Sequence, residues 1–329
     1  MSRTEAEPST ISVALCTCNG EAYLREQLNS IAAQTRLPDE LLVGDDASTD
    51  RTREILDDFT AAVPFPVQVE SHADRRGVAL NFESAAKRCS GTYIAFCDQD
   101  DVWLPEKLAR LEASLAEHPE WALVFHDLEL VDADLNPMGS TMWQSIGFDA
   151  QKQHRWEAGG AFDLLLQRPL VTGAGLMLRR DRLVRVLPFS TGWIHDAWLS
   201  LLLSTVDPVG FLPESLAQYR QHGANEVGGT ATSTRSYVEE TCSMDRRAYY
   251  EKQEAVFHEL VEQARHLPGV PEERLRSLEA KRAFLQRRSR LSAFRPARLL
   301  PVLSGLIRGD YRRYSRGWKV AVRDIIMPP

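Results

Sequence analysis

Short apolar runs alternate with amphipathic stretches along the first 130 residues of the chain. The apolar runs are bounded by turn residues or acids, and their length is typical of buried strands. The stretches between them repeat apolar residues every three or four positions, as helices do when one face packs on a core. The predicted strands are ISVALCTC (11–18), ELLVGDD (40–46), FPVQVES (65–71), TYIAFC (92–97) and WALVFHDLELVD (121–132); the predicted helices are EAYLREQLNSIAAQ (21–34), DRTREILDDFTAA (50–62), GVALNFESAAKRC (77–89) and PEKLARLEASLAEH (105–118).

This alternation predicts an α/β fold in which βαβ units build a mostly parallel sheet with helices on both faces. In such sheets, ligands bind at the carboxyl ends of the strands. Three predicted strands end in polar clusters, at 16–19, 45–46 and 98–101. These clusters should therefore meet along one edge of the sheet. At the helix starts, we expect Ser48 or Thr49 to cap the second helix and Pro105 to stand in the first turn of the fourth.

Beyond about residue 150, the alternation of apolar runs and amphipathic stretches becomes less regular. A short helix, a Gly-rich turn and an apolar strand are predicted over 156–180, and a strand leading into a Gly-rich loop over 212–229. Between them a helix begins with His195 and Asp196 in its first turn. From 233 onward nearly everything has helical periodicity. We therefore predict a disordered lead-in over 1–10, an α/β domain over 11–232 and a helical region over 233–329.

The composition narrows the class of protein. The chain has 329 residues, 43% hydrophobic and 26% charged, as in ordinary globular proteins, and its net charge of −7 disfavours a general nucleic-acid binder. No apolar run reaches the roughly 18 residues that span a bilayer, and the first ten residues do not resemble a signal peptide. The five cysteines lack zinc or secreted-type spacing, which favours reduced thiols in a cytoplasmic protein.

Charge is distributed unevenly along the chain. Residues 282–324 contain twelve Arg and Lys against Asp310 and Asp324, a net charge of +10 that leaves −17 on the remainder. One interpretation is a helical appendage whose arginines are solvated or pair with the acidic domain. The other is an interfacial element for an anionic membrane, because aromatic residues and arginines flank an apolar cluster. That cluster consists of Leu299, Leu300, Val302, Leu303, Leu306 and Ile307, with Tyr311, Tyr314 and Trp318 beside it.

Three carboxylates, Asp98, Asp100 and Asp101, follow the fourth predicted strand, with no basic residue adjacent to them in sequence. Such carboxylates repel one another unless a cation lies among them. An Asp-x-Asp pair on a turn suits Mg²⁺ or Mn²⁺, which typically completes its coordination with waters and a substrate diphosphate. The alternative is a solvated loop that caps the next helix. The position at the carboxyl end of a predicted strand favours the metal.

Two further acids have functional and structural interpretations. Asp46 begins a DASTD stretch that has calcium-loop spacing at first, but Arg51 stands where that loop requires Gly, which excludes calcium. Asp46 could accept a hydrogen bond from a nucleobase, whereas Ser48 or Asp50 could cap the second helix. Asp196, beside His195, could be a general base if burial raises its pKa. Its alternative role is that of a first-turn acid stabilised by the helix dipole.

Seven motifs together resemble inverting glycosyltransferases of family 2 with a GT-A fold, most closely bacterial rhamnosyltransferase-like members. In order along the chain they are ISVALCTCNGEAYLREQLNSIAAQT, VGDDASTDRT, GVALNFESA, GTYIAFCDQDDVWLPEKL, VTGAG, HDAW and YRQHGAN. They cover about 11–229. The resemblance implies a nucleotide-binding half over about 11–130 and an acceptor half over about 131–232. It also implies a nucleoside-diphosphate sugar donor and a glycan or lipid-linked acceptor. A lipid-linked acceptor at the cytoplasmic leaflet would account for the basic, aromatic C-terminal segment.

The resemblance also implies residue roles. Asp98 and Asp100 correspond to the metal-binding pair, with Asp98 toward the ribose, and Asp196 corresponds to the catalytic base. Residues that would bind the donor nucleotide are Cys16, Thr17, Cys18, Asn19, Asp46 and Asp98. Candidates for donor-sugar, acceptor or diphosphate contacts are Asp101, Gly173, Trp193, His195, Arg220 and His222. Cys18 departs from the family, which often has an aromatic residue there against the base.

Other classes fit the motifs less well. A sugar-phosphate nucleotidylyltransferase normally has a Gly-rich loop with Arg or Lys after the first strand, and CTCNGEAYL contains no cation. A phosphatase with an Asp nucleophile would have an Asp-x-Asp motif early in the chain, followed by Gly or Thr. The stretch DQDDVW does not match this motif. A non-catalytic nucleotide-sugar sensor would use Asp100 and have no need of Asp196; turnover separates it from a transferase.

Overall fold

The computed structural model describes residues 9–223 and 245–327. Within these ranges, nine strands form one sheet. Their bounds are β1 Ile11–Thr17, β2 Glu40–Asp45, β3 Val67–Ser71, β4 Tyr93–Cys97, β5 Val102–Trp103, β6 Leu123–Val131, β7 Pro137–Thr141, β8 Leu176–Arg179 and β9 Val209–Arg220.

The sheet is parallel in its first half and mixed in its second. Its order is β3-β2-β1-β4-β8-β6-β9-β5, with β7 paired to β6. Strands β1 to β4 are mutually parallel, as are β6 and β9. Strand β8 is antiparallel to both β4 and β6, and the short β5 is antiparallel to β9. The expectation of a parallel-dominated sheet is confirmed. The antiparallel insertion of β8 depends on long-range pairing, which no local pattern encodes.

Helices cover both faces of the sheet, as the buried period-two pattern requires. Ile11, Val13 and Leu15 of β1 pack into one core, whereas Ala14 and Cys16 pack into the other. The helices of the first two-thirds of the chain are α1 Leu24–Ala32, α2 Thr52–Ala62, α3 Val78–Arg88, α4 Lys107–Glu117, α5 Met142–Ile146, α6 Ala150–Arg155, α7 Ala161–Gln167, α8 Arg180–Leu183 and α9 His195–Leu203.

The predicted starts of two helices were wrong. Helix α2 begins after Arg51, and neither Ser48 nor Thr49 caps it. Instead the Asp50 carboxylate accepts the backbone N–H of Thr52 at 3.0 Å, which is the structural role considered for Asp50. Helix α4 begins at Lys107, so Pro105 lies in the preceding turn and not inside the helix.

The C-terminal region is helical, as predicted, in the part that the structure describes. Its helices are α10 Arg246–His266, α11 Glu272–Ser289, α12 Leu299–Ile307, α13 Asp310–Tyr314 and α14 Trp318–Ile326. The proposed domain boundary at 232/233, the start of the predicted helix, Cys242 and most of the lead-in lie outside the described residues. Among the described helices, none combines the length and apolarity needed to cross a bilayer.

Candidate active site

A cavity of about 830 Å³ opens at the carboxyl ends of β1, β2 and β4. It brings together predicted residues that lie far apart in the chain, as the parallel strands lead us to expect. The predicted site residues that line it are Cys16, Thr17, Cys18, Asn19, Asp46, Asp98, Asp100, Gly173, His195, Asp196 and His222.

Three predicted site residues do not line this cavity. Asp101 is fully buried beneath it, and one of its oxygens accepts the backbone N–H of Arg220 at 3.2 Å. The Arg220 guanidinium contacts the Asp100 carbonyl oxygen and Glu26. Trp193 packs against Phe257 of α10. All three belong to the protein framework behind the site, because these contacts join them to other residues of the protein.

The ends of β1 and β4 are joined by a side-chain amide. Gln99 accepts the backbone N–H of Cys18 at 2.8 Å and donates to its carbonyl oxygen at 3.2 Å. Beside this pair, Asn19 has a φ of 50° and accepts the backbone N–H of Thr49 at 2.8 Å. These bonds determine the shape of the cavity wall where the resemblance places the nucleobase.

Asp46 has a structural task in addition to facing the cavity. Its two carboxylate oxygens accept the backbone N–H groups of Arg76 and Gly77, at 2.6 and 2.9 Å. Each oxygen retains a second lone pair. Asp46 therefore connects the end of β2 to the start of α3, and its carboxylate can still accept a hydrogen bond from a ligand.

The acid cluster lies over a buried lysine. Burial, followed by the charges of Asp100 and Asp196, raises the pKa of Asp98 to about 7. Burial also raises the pKa of Asp101 well above its usual range. Lys107 is completely buried, and its ammonium faces these acids while donating to the Ala174 carbonyl oxygen at 2.5 Å. No basic residue is adjacent to these acids in the sequence, but the fold brings Lys107, in the first turn of α4, against them.

Asp100 is held between a histidine and an arginine. The His222 Nε2 atom lies 2.9 Å from an Asp100 carboxylate oxygen. The ring of Tyr23 contacts His222 with centroids 4.7 Å apart and lies 4.5 Å beneath the Arg220 guanidinium. This stack fixes the end of β9 next to the acid cluster.

Asp196 also lines the cavity, in the first turn of α9. One carboxylate oxygen accepts the backbone N–H of Gly173 at 2.7 Å, and the other accepts that of Ala197 at 2.6 Å. These bonds favour the charged form, but burial outweighs them and raises the pKa of Asp196 to about 6. A carboxylate with this pKa is ionised at neutral pH and can still accept a proton.

His195 is an apolar wall and not a second base. Its ring lies 4.0 Å from that of Phe82 and stacks on Phe96 at 5.3 Å. Neither ring nitrogen has a hydrogen-bond partner among the described residues. Burial lowers the pKa of His195 to about 3, so the imidazole is neutral.

The donor set of the cavity fits a divalent cation shared with a ligand. Asp98 and Asp100 present carboxylate oxygens whose mutual repulsion a cation would relieve. Within the described parts of the chain, no group of three or more His, Cys, Asp or Glu side chains is arranged to hold a metal. Mg²⁺ at nucleotide sites commonly uses only one or two carboxylates and completes its shell with phosphates and waters. The two aspartates therefore fit Mg²⁺ or Mn²⁺ held jointly with a diphosphate.

Sequence reasoning missed several residues that build the site. Three of them contact segments that are distant in sequence: Lys107, Gln99 and Tyr23. Only Gln99 had a local signal, because it lies inside the acidic turn that ends β4.

The arrangement defines an α/β protein with an acidic cavity at the carboxyl ends of its strands. The family model described as glycosyl transferase family 2 matches residues 12–184. The chain belongs to this family and has its GT-A fold.

Similar proteins extend this comparison. An uncharacterized protein of Mycobacterium tuberculosis is 28% identical over 237 residues, which cover 70% of this chain and 64% of that protein. The dTDP-rhamnosyl transferase RfbG of Shigella flexneri is 23% identical over 256 residues, covering 73% and 81%. The mannosyltransferase PcManGT of Pyrobaculum calidifontis, solved with GDP-Man and Mn²⁺, superposes with a TM-score of 0.53 at 17% identity, covering 98% and 86%. The chain thus spans about two-thirds of the mycobacterial relative, and the last similarity concerns the fold.

Proposed function

We propose that this protein is a metal-dependent inverting glycosyltransferase. It transfers a sugar from a nucleoside-diphosphate donor to a hydroxyl of a glycan or lipid-linked acceptor in cell-surface polysaccharide synthesis. The observation that carries the proposal is the single cavity in which Asp98 and Asp100 line one part and Asp196 another. The names of similar proteins support the donor class: RfbG is called a dTDP-rhamnosyl transferase, and PcManGT was solved with GDP-Man.

The nucleotide is placed against the wall made by Cys16, Thr17, Cys18 and Asn19. The free acceptor capacity of Asp46 suits an N–H donor of the base. Cys18 is compatible with this position because its thiol is engaged with the Asp46 carbonyl oxygen, at 3.2 Å. The pocket therefore has a small polarizable side chain where an aromatic ring often stands.

The acid pair acts on the leaving group. Asp98 and Asp100 would hold Mg²⁺ or Mn²⁺, which neutralises the charge that develops on the departing diphosphate. The contact between His222 and Asp100 keeps that carboxylate directed at the cavity. The presence of Mn²⁺ with GDP-Man in PcManGT supports this assignment.

Asp196 acts on the acceptor. Its carboxylate takes the proton of the attacking hydroxyl while the oxygen bonds to the anomeric carbon on the face opposite the diphosphate. The C–O bond to the diphosphate breaks with its electron pair, and the configuration at the anomeric carbon inverts. The Gly173 N–H holds one Asp196 oxygen in place, which leaves the remaining lone pairs to meet the hydroxyl.

The test is a donor screen. The protein is incubated with UDP-, GDP- and dTDP-sugars, including dTDP-rhamnose, with Mn²⁺ or Mg²⁺, and nucleoside diphosphate release is measured with and without lipid-linked and glycan acceptors. We expect one donor class to be turned over, and faster with an acceptor. Donor binding without turnover under any of these conditions contradicts the enzyme and favours the nucleotide-sugar sensor.

A further inference from the structure

Helix α12 exposes most of its apolar side chains. It buries only Val302 and Gly305, the latter against the ring of Tyr311. Leu300 and Ile307 are 80% and 87% exposed, and three further leucines of this helix are also exposed: Leu299, Leu303 and Leu306. A nine-residue helix of this composition ordinarily turns its apolar face inward.

Helix α14 has the same orientation. Trp318, Val322 and Ile326 recur every fourth residue, so they form one stripe, and all three are exposed. The opposite face carries the buried Ala321 and Asp324. The buried Asp324 carboxylate accepts hydrogen bonds from Arg288 and from the Tyr311 hydroxyl, at 2.7 and 2.9 Å. The helix is thus anchored by its polar side and presents its apolar side outward.

These exposed residues belong to neighbouring elements. Helices α12 and α14 pack on each other and on the short helical turn at Arg295–Arg298. Phe294, immediately before that turn, is 68% exposed. We call the set the C-terminal apolar face; it consists of Phe294, Leu299, Leu300, Leu303, Leu306, Ile307, Trp318, Val322 and Ile326. Exposed apolar clusters of this kind mark interaction sites in soluble proteins.

The charge around this face is positive and uncompensated. Asp310 and Asp324 are the only acids in residues 290–327, and Asp310 pairs with Arg287 and Arg308. Exposed cations of the same segment form no ion pair with any described residue; they are Arg290, Arg295, Arg312, Arg316 and Lys319. A second copy of the chain would bring its own cations against these, so like charge opposes self-association. An anionic bilayer satisfies both the cations and the apolar side chains.

We propose that the C-terminal apolar face is a peripheral membrane-binding surface for bilayers rich in anionic lipids. The leucines, Trp318 and Phe294 enter the boundary between headgroups and acyl chains, and the surrounding arginines contact lipid phosphates. The strongly negative remainder of the chain is repelled by the same surface, which orients the molecule with this face toward the lipid. The proposal is independent of the glycosyltransferase activity.

The test is co-sedimentation of the full chain with vesicles. One set contains equal parts phosphatidylglycerol and phosphatidylcholine, and the other phosphatidylcholine alone. We expect binding to the anionic vesicles that weakens at high salt. A triple variant with Leu300→Ser, Ile307→Ser and Trp318→Ser should lose roughly tenfold or more in partition coefficient at any salt. A triple variant with Arg312→Gln, Arg316→Gln and Lys319→Gln should lose roughly ten- to hundredfold, mainly at low salt.

Matched control variants test whether vesicle binding depends on this surface or on exposed apolar and basic side chains in general. Val184→Ser with Met138→Ser removes exposed apolar side chains elsewhere, and Arg25→Gln with Arg51→Gln and Arg53→Gln removes three exposed cations elsewhere. Both controls should bind vesicles like the natural chain. Equal binding by all variants overturns the proposal. A second result also overturns it: the protein does not bind vesicles but forms a dimer, seen by light scattering, that the Leu300/Ile307/Trp318 variant abolishes. The face would then be an interface between copies.

Discussion

The carboxylate of Asp196 accepts the backbone N–H of Gly173 at 2.7 Å, across 23 positions of sequence. The close approach depends on glycine, since a Cβ at residue 173 would lie 2.6 Å from the His195 Nε2 atom. The Gly-rich turn before β8 and the start of α9 therefore form one unit of the cavity wall. The proposed base, Asp196, is therefore oriented by backbone N–H groups and not by another titratable side chain.

Asp196→Asn should reduce transfer about 10²–10⁴-fold, the usual contribution of a positioned general base, while donor binding remains. In the natural protein with saturating donor and metal, transfer requires the ionised Asp196 carboxylate, so kcat should be half of its maximum near pH 6, approach its maximum above pH 7 and fall as the pH decreases. Stopped transfer assays across pH, with donor affinity from calorimetry, provide the measurement. Near-normal transfer by Asp196→Asn at neutral pH would show that Asp196 is only a first-turn acid of α9.

Asp100→Asn should weaken donor affinity and turnover together, because the cation and the diphosphate lose a shared carboxylate ligand. Excess chelator should abolish transfer by the natural chain, with recovery on adding Mn²⁺. The control is Asp134→Asn, an acid outside the cavity that donates its backbone N–H to Asp132, which should leave both quantities unchanged. Full transfer in chelator after metal stripping would contradict the metal site itself.

Gly173→Ala should displace His195 or Asp196, because the added methyl group cannot fit beside the imidazole. Overpacking of this kind costs about 1–3 kcal/mol of unfolding free energy, and transfer should fall more than donor affinity. Gly223→Ala is the matched control, since it also lines the cavity and no atom of the described residues lies within 4 Å of a Cβ at that position. Urea unfolding and single-turnover transfer test the pair; equal behaviour of the two variants would disprove the steric argument.

Lys107→Met should destabilise the protein by about 3–5 kcal/mol, because Asp98 and Asp101 keep their burial and lose the cation that faces them. Lys281→Met is the control. Lys281 is equally buried and donates to the Tyr314 carbonyl oxygen at 2.5 Å, but its charged neighbour is Arg288. Its loss should cost about 1 kcal/mol, the contribution of a typical hydrogen bond. Urea denaturation compares them near pH 7, because burial lowers the pKa of each lysine to about 7 and both would lose their charge at higher pH. Similar losses would mean that the acid cluster does not depend on Lys107.

Asp324→Asn should unfold the C-terminal helices more easily, by about 3–5 kcal/mol, since the buried Arg246 and Arg288 would lose their common carboxylate. Asp310→Asn, which breaks the ion pairs with the more exposed Arg287 and Arg308, should cost less than about 1 kcal/mol. Denaturant unfolding followed by circular dichroism measures both. Equal effects would indicate that the buried network contributes no more than a surface pair.

The sequence alone determined the first half of the sheet and the edge where ligands bind. The apolar runs that became β1, β2 and β4 are short and continuous, and their acids and amides follow at the carboxyl ends. Parallel strands align those ends, so local pattern was sufficient to bring Cys18, Asp46 and Asp100 into one cavity. Helix periodicity likewise identified the C-terminal helices, and their unusual charge drew attention to an outward apolar face.

Tertiary structure alone decided where the remaining side chains point. The local sequences of Lys107 and Lys281 do not indicate burial, yet each amine is buried, where it donates to the carbonyl oxygen of a residue distant in sequence. Arg220 and Trp193 lie beside site motifs in sequence but turn toward protein partners, and β8 enters the sheet antiparallel between β4 and β6. The physical reason is that side-chain direction and strand pairing minimise free energy over contacts between distant segments. Local periodicity records which residues avoid water but not which partners they meet.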